Sequence, residues 1–260
     1  MKIAVCIKSV PDTTANINMH PEGTGIDPAS VKFVISPYDE YGIEQALLLK
    51  DQDASIEVLI FCYGNDKSQE AIKTALAMGA DRAIFIKDDQ AWHKDGLAIA
   101  KILHQAILDE GDVGMVLMGR QAIDTDRGQV AGMLAEKLSW PHVTSVSAFE
   151  FKGDSVLATR DVDAGAKEVW NVPSQSVFAC TKGINTPRYP SLKGIMAAKK
   201  KPLLEKTIGD LNLVDANLSE IQLSNFEKPS QERQKKMWEG ATQDNVDALI
   251  TALREEAKVI

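Results

Sequence analysis

The 260-residue sequence has few of the residues that build metal centres or disulfide frameworks. It contains only three cysteines and four histidines. Cys6, Cys62 and Cys180 form no Cys-x-x-Cys pair and lie in apolar, strand-like surroundings, so we predict buried, reduced thiols. The histidines occur singly, without clustered cysteine or carboxylate partners. This spacing predicts that the chain holds no metal.

Charge and hydrophobicity argue against two further classes of protein. The formal net charge is −8, whereas a general nucleic-acid binder would carry a basic excess, so we expect no nucleic-acid partner. No apolar run approaches the roughly 18–20 residues that span a bilayer. The apolar run before Lys8 is too short for a signal peptide. The sequence therefore predicts a cytoplasmic protein with no targeting segment and no membrane span.

Common phosphate-binding and catalytic motifs are also missing. The sequence contains neither Gly-x-x-x-x-Gly-Lys-Ser/Thr nor Gly-x-Gly-x-x-Gly. Its serines, cysteines and histidines form no nucleophile elbow or triad-like motif, and Asp124 and Asp126 lack the spacing of a calcium loop. A nucleotide-cleaving enzyme is therefore the weakest hypothesis, and we predict no catalytic residues in this chain.

Strand-like and helix-like segments alternate through the first half of the sequence. Short apolar runs typical of buried strands alternate with segments whose apolar residues recur at helical spacing. This alternation with short connections favours an α/β fold with a mostly parallel sheet and helices on both faces. We predict strands at 2–7, 56–62, 81–86 and 113–118, and helices that begin near Pro37, Ser68, Asp95 and Val130.

The character of the chain changes after Pro141. Segments 143–151, 155–162 and 167–171 predict a small β-meander, and 176–180 predicts a strand that rejoins the main sheet. From Gly183 onward apolar residues are scattered, apart from an amphipathic helix predicted at 244–257.

The sequence thus predicts an α/β domain at 1–182 and an extended C-terminal arm at 183–260. An arm with so little core favours an obligate partner chain, and an arm folded back on its own domain is the alternative.

The stretch from Gly119 to Leu138 combines a strand end, an Asp-rich loop and a helix start. The free backbone N–H groups and positive end of such a helix favour an anion, for which a nucleotide phosphate is suitable. Ligands of parallel sheets bind at the carboxyl ends of strands. We therefore expect loops 8–13, 63–65 and 119–129 to converge with segment 36–39 on one crevice. The alternative is a solvated turn in which Asp126 caps the helix.

Three separated motifs, in the same order, resemble the β (small) subunit of electron transfer flavoprotein. They are Gln121-Ala122-Ile123-Asp124-x-Asp126-x-x-Gln129, the block Ala-Leu-Ala-Met-Gly-Ala-Asp-Arg at 75–82, and Pro187-Arg188-Tyr189-x-x-Leu192-x-x-Ile195-Met196-x-Ala198-Lys199-Lys200. The resemblance runs along nearly the whole chain, from its first strand to its last helix.

This resemblance implies an adenine-nucleotide α-hydrolase-like fold and a heterodimer in which the arm wraps the α subunit. The α subunit of this family carries the redox FAD. The pair passes electrons from flavin dehydrogenases, such as acyl-CoA dehydrogenases of fatty acid oxidation, towards a quinone-linked acceptor oxidoreductase. The β subunit is an electron-carrier subunit without catalytic residues. The resemblance also implies a bacterial, cytoplasmic protein.

By position, the resemblance implies a structural AMP in the predicted crevice. Tyr38 would approach the partner's flavin, and Leu192 would insert into a hydrophobic pocket of the dehydrogenase. The implied cofactor-binding residues are Cys6, Ser36, Pro37, Tyr38, Asp39, Tyr63, Gly64, Arg120, Gln121, Ala122, Ile123, Asp124, Thr125, Asp126, Arg127, Gly128, Gln129 and Val130. The implied partner-recognition residues are Arg188, Tyr189, Pro190, Ser191, Leu192, Lys193, Gly194, Ile195, Met196 and Ala197.

Two departures from the family pattern leave the nucleotide open. Where respiratory members commonly have Asn-Gln-Thr-Gly, this chain has Gly128-Gln129-Val130-Ala131 and lacks a threonine hydroxyl near the phosphate. Segments 36–41 and 119–121 are closer to the electron-bifurcating branch, whose β subunit binds a second FAD. That branch usually has Thr-Ala-Gln-Val-Gly-Pro, from which Arg127 departs.

Arg127 could contact the phosphate of AMP or hinder a pyrophosphate, and the recognition loop is of the respiratory type. We therefore favour AMP, with a second FAD as the alternative. A stand-alone adenine-nucleotide sensor module is the lesser alternative.

Overall fold

The computed structural model describes residues 1–214, 218–221, 223–228 and 235–260. Its strands are β1 (Lys2–Ile7), β2 (Ser9–Pro11), β3 (Phe33–Ile35), β4 (Glu57–Gly64), β5 (Arg82–Lys87), β6 (Val113–Gly119), β7 (His142–Phe151), β8 (Ser155–Asp161), β9 (Lys167–Pro173), β10 (Val177–Cys180) and β11 (Leu203–Thr207). Its α-helices are α1 (Pro37–Gln52), α2 (Ser68–Met78), α3 (Gly96–Glu110), α4 (Val130–Leu138), α5 (Leu192–Ala198) and α6 (Thr242–Thr251).

Among the described residues, nine strands form one mixed sheet in the order β11-β5-β4-β1-β6-β10-β7-β8-β9. All neighbours from β11 to β7 are parallel, whereas β7, β8 and β9 pair antiparallel. Strands β2 and β3 form a separate antiparallel pair. The predicted α/β class and the return of β10 to the main sheet are confirmed. The β-meander is the continuation of that sheet, because β7 pairs with β10.

Helices cover both faces of the parallel part of the sheet. One face buries Ile43 and Leu47 of α1 with Ile72 and Leu76 of α2. The opposite face buries residues of α3 and α4, such as Leu134. Because both faces are covered, β1 and β4 are buried at almost every position. This double burial explains why the strands are uninterrupted apolar runs in the sequence.

Local signals in the sequence set several helix ends. Pro37 occupies the first turn of α1, where its missing N–H costs no helical hydrogen bond. The Asp95 carboxylate accepts from Ala98 N at 2.8 Å and caps α3. Gly79 is the C-cap of α2, and its φ of 145° is a backbone conformation that glycine adopts readily and other residues rarely do. The predicted starts of α1 to α4 are confirmed.

Two elements after Gly183 were not predicted. Helix α5 is capped by Ser191, whose Oγ accepts from Gly194 N at 3.0 Å, and it packs against α2. Strand β11 pairs in parallel with β5 and extends the sheet edge. Pro190 and Gly194 are residues that disfavour regular structure, so α5 was not expected although Ser191 caps it. Packing against α2 stabilises α5, and pairing with β5 stabilises β11.

By contact density the described chain divides into two compact units, Met1–Phe226 and Glu227–Ile260. The division falls after Phe226 rather than after residue 182, because β11 belongs to the main sheet. The second unit holds α6, which ends in a π-helical turn at Ala252–Glu256. Residues 215–217, 222 and 229–234 of the predicted arm lie outside the described residues. In the described chain no helix is both long and apolar enough to cross a membrane.

Candidate functional site

A cavity of about 500 Å³ lies at the carboxyl ends of β1, β4 and β6. Its wall includes Lys8, Gly64 and Arg120, which stand at or just beyond the last residues of these strands. The cavity therefore occupies the position at which parallel sheets bind ligands. Its volume falls in the usual range of small-molecule sites, roughly 300–1,000 Å³.

Thirteen of the eighteen predicted cofactor-binding residues line this cavity, and their binding to a nucleotide stays a prediction. Those that line it are Cys6, Asp39, Tyr63, Gly64, Arg120, Gln121, Ala122, Asp124, Thr125, Arg127, Gly128, Gln129 and Val130. Those that do not are Ser36, Pro37, Tyr38, Ile123 and Asp126. Segment 36–39 forms the N-cap and the first turn of α1, and of its four residues only Asp39 lines the cavity.

Asp39 joins the ends of two strands beneath the cavity. Its carboxylate accepts from Lys8 N at 2.7 Å and from Gly119 N at 2.8 Å. A side chain at position 119 would place its Cβ 2.5 Å from Asp39 Oδ1, so only glycine fits there. Desolvation by burial raises the pKa of Asp39 to about 7, although both backbone hydrogen bonds act in the opposite direction. The site thus contains a carboxyl group that titrates near neutral pH.

Lys8 carries a positive charge into the cavity wall. Its Nζ lies 2.6 Å from Asp124 Oδ2 and 6.0 Å from the centre of the Trp92 ring. The side chain of Asp124 is only 8% exposed, whereas that of Lys8 is 34% exposed. The ammonium group therefore faces the cavity while Asp124 fixes its position.

The loop between β6 and α4 turns sharply before the helix begins. Asp126 and Gly128 have φ values of 50° and 60°, and Asp126 N donates to Ala122 O at 2.9 Å. Gln121 Nε2 donates to Asp126 Oδ1 at 2.8 Å. Gln129, which makes no side-chain cap bond, is the N-cap residue of α4. The alternative in which Asp126 caps the helix is therefore wrong.

The start of α4 offers backbone donors to the cavity. Met133 N donates to Gln129 O at 3.1 Å. The N–H groups of Val130, Ala131 and Gly132 precede this bond and have no acceptor within the helix. Val130 and Ala131 line the cavity. This arrangement suits an anion such as a phosphate.

Arg120 brings a guanidinium group to the same region. Its backbone N donates to Cys180 O at 2.9 Å, which fixes the start of the loop. The guanidinium carbon lies 5.1 Å from the centre of the Tyr38 ring, a cation–π distance. Arg120 Nε is buried and has no hydrogen-bond partner. An unsatisfied buried donor on a cavity wall is the kind of group that an anionic ligand would satisfy.

One side of the cavity was missed in the sequence. Trp92 and His93 follow β5, and that post-strand loop could have been included by the same rule as the other three. Trp92 packs edge-on against Phe33 with ring centres 5.4 Å apart. The ring centres of His93 and Phe226 are 6.3 Å apart. Further wall residues were missed as well, and several of them carry no local signal: His20, Thr24, Gly25, Ile26, Pro28 and Leu223.

The three cysteines are free and buried, as predicted. Burial raises the pKa of the Cys6 thiol, and it raises the pKa values of Cys62 and Cys180 to about 12. These thiols therefore stay protonated, and Cys6 contributes an apolar surface to the cavity. In the described chain no group of three or more histidine, cysteine, aspartate or glutamate side chains could hold a metal ion.

The predicted recognition residues lie in a separate surface segment. Tyr189 is 94% exposed and Leu192 is 84% exposed, and the helix α5 that follows also exposes Met196. Leu192, Lys193, Gly194, Ile195, Met196 and Ala197 belong to this helix, and Ser191 caps it. Arg188 is held by ion pairs to Glu44 and Asp51. The segment thus presents apolar side chains to solvent, and its role in docking stays a prediction.

Comparison with known proteins identifies the family. A family model described as "Electron transfer flavoprotein domain" matches residues 24–211. The chain is 36% identical to an electron transfer flavoprotein subunit beta of Bradyrhizobium diazoefficiens over 261 residues, which cover all of both chains. It is 35% identical to the corresponding subunit of Bacillus subtilis over the full length of both. A Syntrophomonas wolfei subunit beta is 40% identical over 203 residues, or 78% of each chain. The chain therefore belongs to the electron transfer flavoprotein family, and the relatives that it matches are β subunits.

Proposed function

We propose that the chain is the β subunit of a heterodimeric electron carrier that holds an AMP in the cavity at the strand ends. The α subunit would carry the FAD that accepts and donates electrons. The observation that carries the proposal is the cavity itself, in a chain whose relatives are β subunits of electron transfer flavoproteins.

The donors on the cavity wall fit a mononucleotide. Lys8, Arg127 and the first backbone N–H groups of α4 would hold the single phosphate. Arg120, whose Nε is buried and unsatisfied, also lines the cavity and would supply a further donor. Trp92, Ile99 and Leu103, which also line the cavity, offer apolar surface suited to adenine. These residues would hold and shield the nucleotide, and the proposed role of each is binding without proton or electron transfer.

The FAD of the α subunit would supply the redox chemistry. In this chain Tyr38 is the aromatic side chain proposed to face that flavin, with Arg120 against its ring. The exposed segment around Leu192 would dock the dehydrogenase that delivers electrons, such as an acyl-CoA dehydrogenase. A quinone-linked oxidoreductase would then take the electrons from the carrier.

Co-expression with the α chain encoded in the same genome tests the subunit role. We expect the two chains to purify together as a yellow heterodimer that accepts electrons from an acyl-CoA dehydrogenase. The α chain expressed alone is the matched control for flavin retention. A stable, colourless monomer that ignores every flavoprotein partner would overturn the proposal and favour the stand-alone nucleotide sensor.

A further inference from the structure

We infer that the ion pair between Arg188 and Glu44 is a positioning device for the docking segment, residues 188–198. The inference rests on the proposed docking role of Leu192. The pair would hold the start of the segment against α1, so that Leu192 is presented in the orientation that the dehydrogenase accepts. Neither residue needs to contact the dehydrogenase itself.

Glu44 is unusual because it is a carboxylate in the middle of a helix, only 4% exposed. Arg188 donates three hydrogen bonds to this carboxylate. Its backbone N and its Nε donate to Oε2 at 3.0 Å and 2.8 Å, and its Nη2 donates to Oε1 at 2.9 Å. The same Nη2 lies 2.8 Å from Asp51 Oδ2. Side-chain and backbone donors from one residue thus fix both the position and the direction of the chain at 188.

A second contact to α1 precedes the pair. Asn185 Nδ2 donates to Tyr41 O at 3.0 Å and to Gln45 Oε1 at 3.2 Å. Gln45 is itself buried. The chain therefore reaches Arg188 already attached to α1, and the ion pair is the last tie before the exposed residues begin.

The other end of the segment is tied to α2. Lys201 Nζ donates to Leu76 O, in the last turn of α2, at 2.9 Å and to Ala80 O, just beyond the end of that helix, at 2.5 Å. Pro202 O then accepts from Ala83 N at 3.0 Å as the chain enters β11. A cation on the final carbonyls of a helix is a favourable contact. Both ends of the segment are thus attached to the sheet-covering helices.

The middle of the segment touches α2 through a glycine. A Cβ on Gly194 would lie 2.2 Å from Ala77 O, so the backbone of α5 rests directly on the end of α2. Between these three attachments the side chains of Tyr189, Leu192 and Met196 remain exposed. Fixed ends with exposed apolar side chains describe a pre-organised binding surface, which loses less entropy when it docks.

The test measures electron transfer from a purified acyl-CoA dehydrogenase to the Glu44→Gln heterodimer and to the parent heterodimer. The dehydrogenase is one that reduces the parent. Glutamine keeps the size of the side chain but loses the charge and one acceptor oxygen. We expect the KM for the carrier to rise about tenfold with kcat unchanged, through faster dissociation. Amide hydrogen exchange of residues 189–198 should accelerate in the free heterodimer.

Glu70→Gln is the matched control, because it removes the exposed ion pair to Lys73 on α2. It should match the parent in both measurements. If Glu44→Gln fails to fold, Arg188→Lys keeps the charge but loses the fork geometry, and the same increases in KM and exchange are expected.

Leu192→Ala separates this inference from the proposed docking role. If Leu192→Ala transfers electrons like the parent, the docking role fails. If Leu192→Ala raises the KM but Glu44→Gln does not, only the positioning role is overturned. A raised KM without faster exchange at 189–198 would also overturn it, because the segment would then be held without the ion pair.

Discussion

Asp39 is a buried carboxyl group that lines the cavity and accepts hydrogen bonds from two backbone N–H groups. Its pKa is raised to about 7 in the folded chain, whereas an aspartate in the unfolded chain ionises near its ordinary pKa of about 4. Between these pH values unfolding releases a proton. The free energy of unfolding should therefore fall as the pH rises from about 4 to about 7, by at most about 1.4 kcal/mol per pH unit from this group.

Asp39→Asn removes this titration and keeps the shape of the side chain. Urea unfolding at several pH values between about 5 and about 8 should give a shallower pH dependence for the variant than for the parent. The variant should also be less stable by about 1–3 kcal/mol near pH 5. Each carboxylate oxygen of Asp39 accepts one backbone N–H, and the amide nitrogen that replaces one oxygen in asparagine cannot accept. Parallel pH curves for the two proteins would contradict the raised pKa.

One charged cluster links β1, β4, β5 and α3 at the amino ends of the strands. Arg82 of β5 contacts Glu57 of β4 at 2.7 Å and Glu110 of α3 at 2.5 Å. Lys2 of β1 lies 2.7 Å from the same Glu110 carboxylate. The hydrogen bonds from Arg82 are the largest of several causes that lower the pKa of Glu110 to about 2. The cluster lies at the end of the sheet opposite the cavity.

Glu110→Gln should therefore reduce stability and leave nucleotide binding intact. The lowered pKa means that the contribution of Glu110 is complete above its unfolded pKa of about 4.3 and is lost as the pH falls towards about 2. At neutral pH we expect the variant to lose about 2–3 kcal/mol in urea unfolding. Nucleotide content measured after purification should equal that of the parent. A variant with parental stability would show that the cluster is only a surface contact.

The elements that the sequence predicted well are those whose own residues determine them. Strands β1, β4 and β6 are buried on both faces, so their apolar runs are visible without knowledge of the fold. Helix α5 and strand β11 differ, because α5 contains Gly194 and depends on α2, and β11 depends on backbone pairing at the sheet edge.

The candidate site shows the same contrast. The loop 120–130 was predictable because its strand, turn and helix start are contiguous. The pairing of Lys8 with Asp124 joins residues 116 positions apart, and Leu223 and Phe226 reach the cavity from a segment with no local signal. Only the folded topology brings these side chains to one wall.

At the scale of the whole molecule, the second compact unit supports a role in subunit assembly. Val246, Leu249 and Ile250 recur at helical spacing on α6 and are 43%, 43% and 39% exposed. Exposed apolar side chains on one helix favour a partner surface. We expect deletion of residues 227–260 to abolish co-purification of the α chain. A heterodimer that survives the deletion would contradict a role for this unit in assembly.

We propose that this chain holds AMP and leaves the redox flavin to its partner. The direct measurement is the release of bound nucleotides from the purified heterodimer by denaturation, followed by their identification and quantification. We expect one FAD and one AMP per heterodimer. Two FAD and no AMP would contradict this proposal and would assign the cavity to a second flavin.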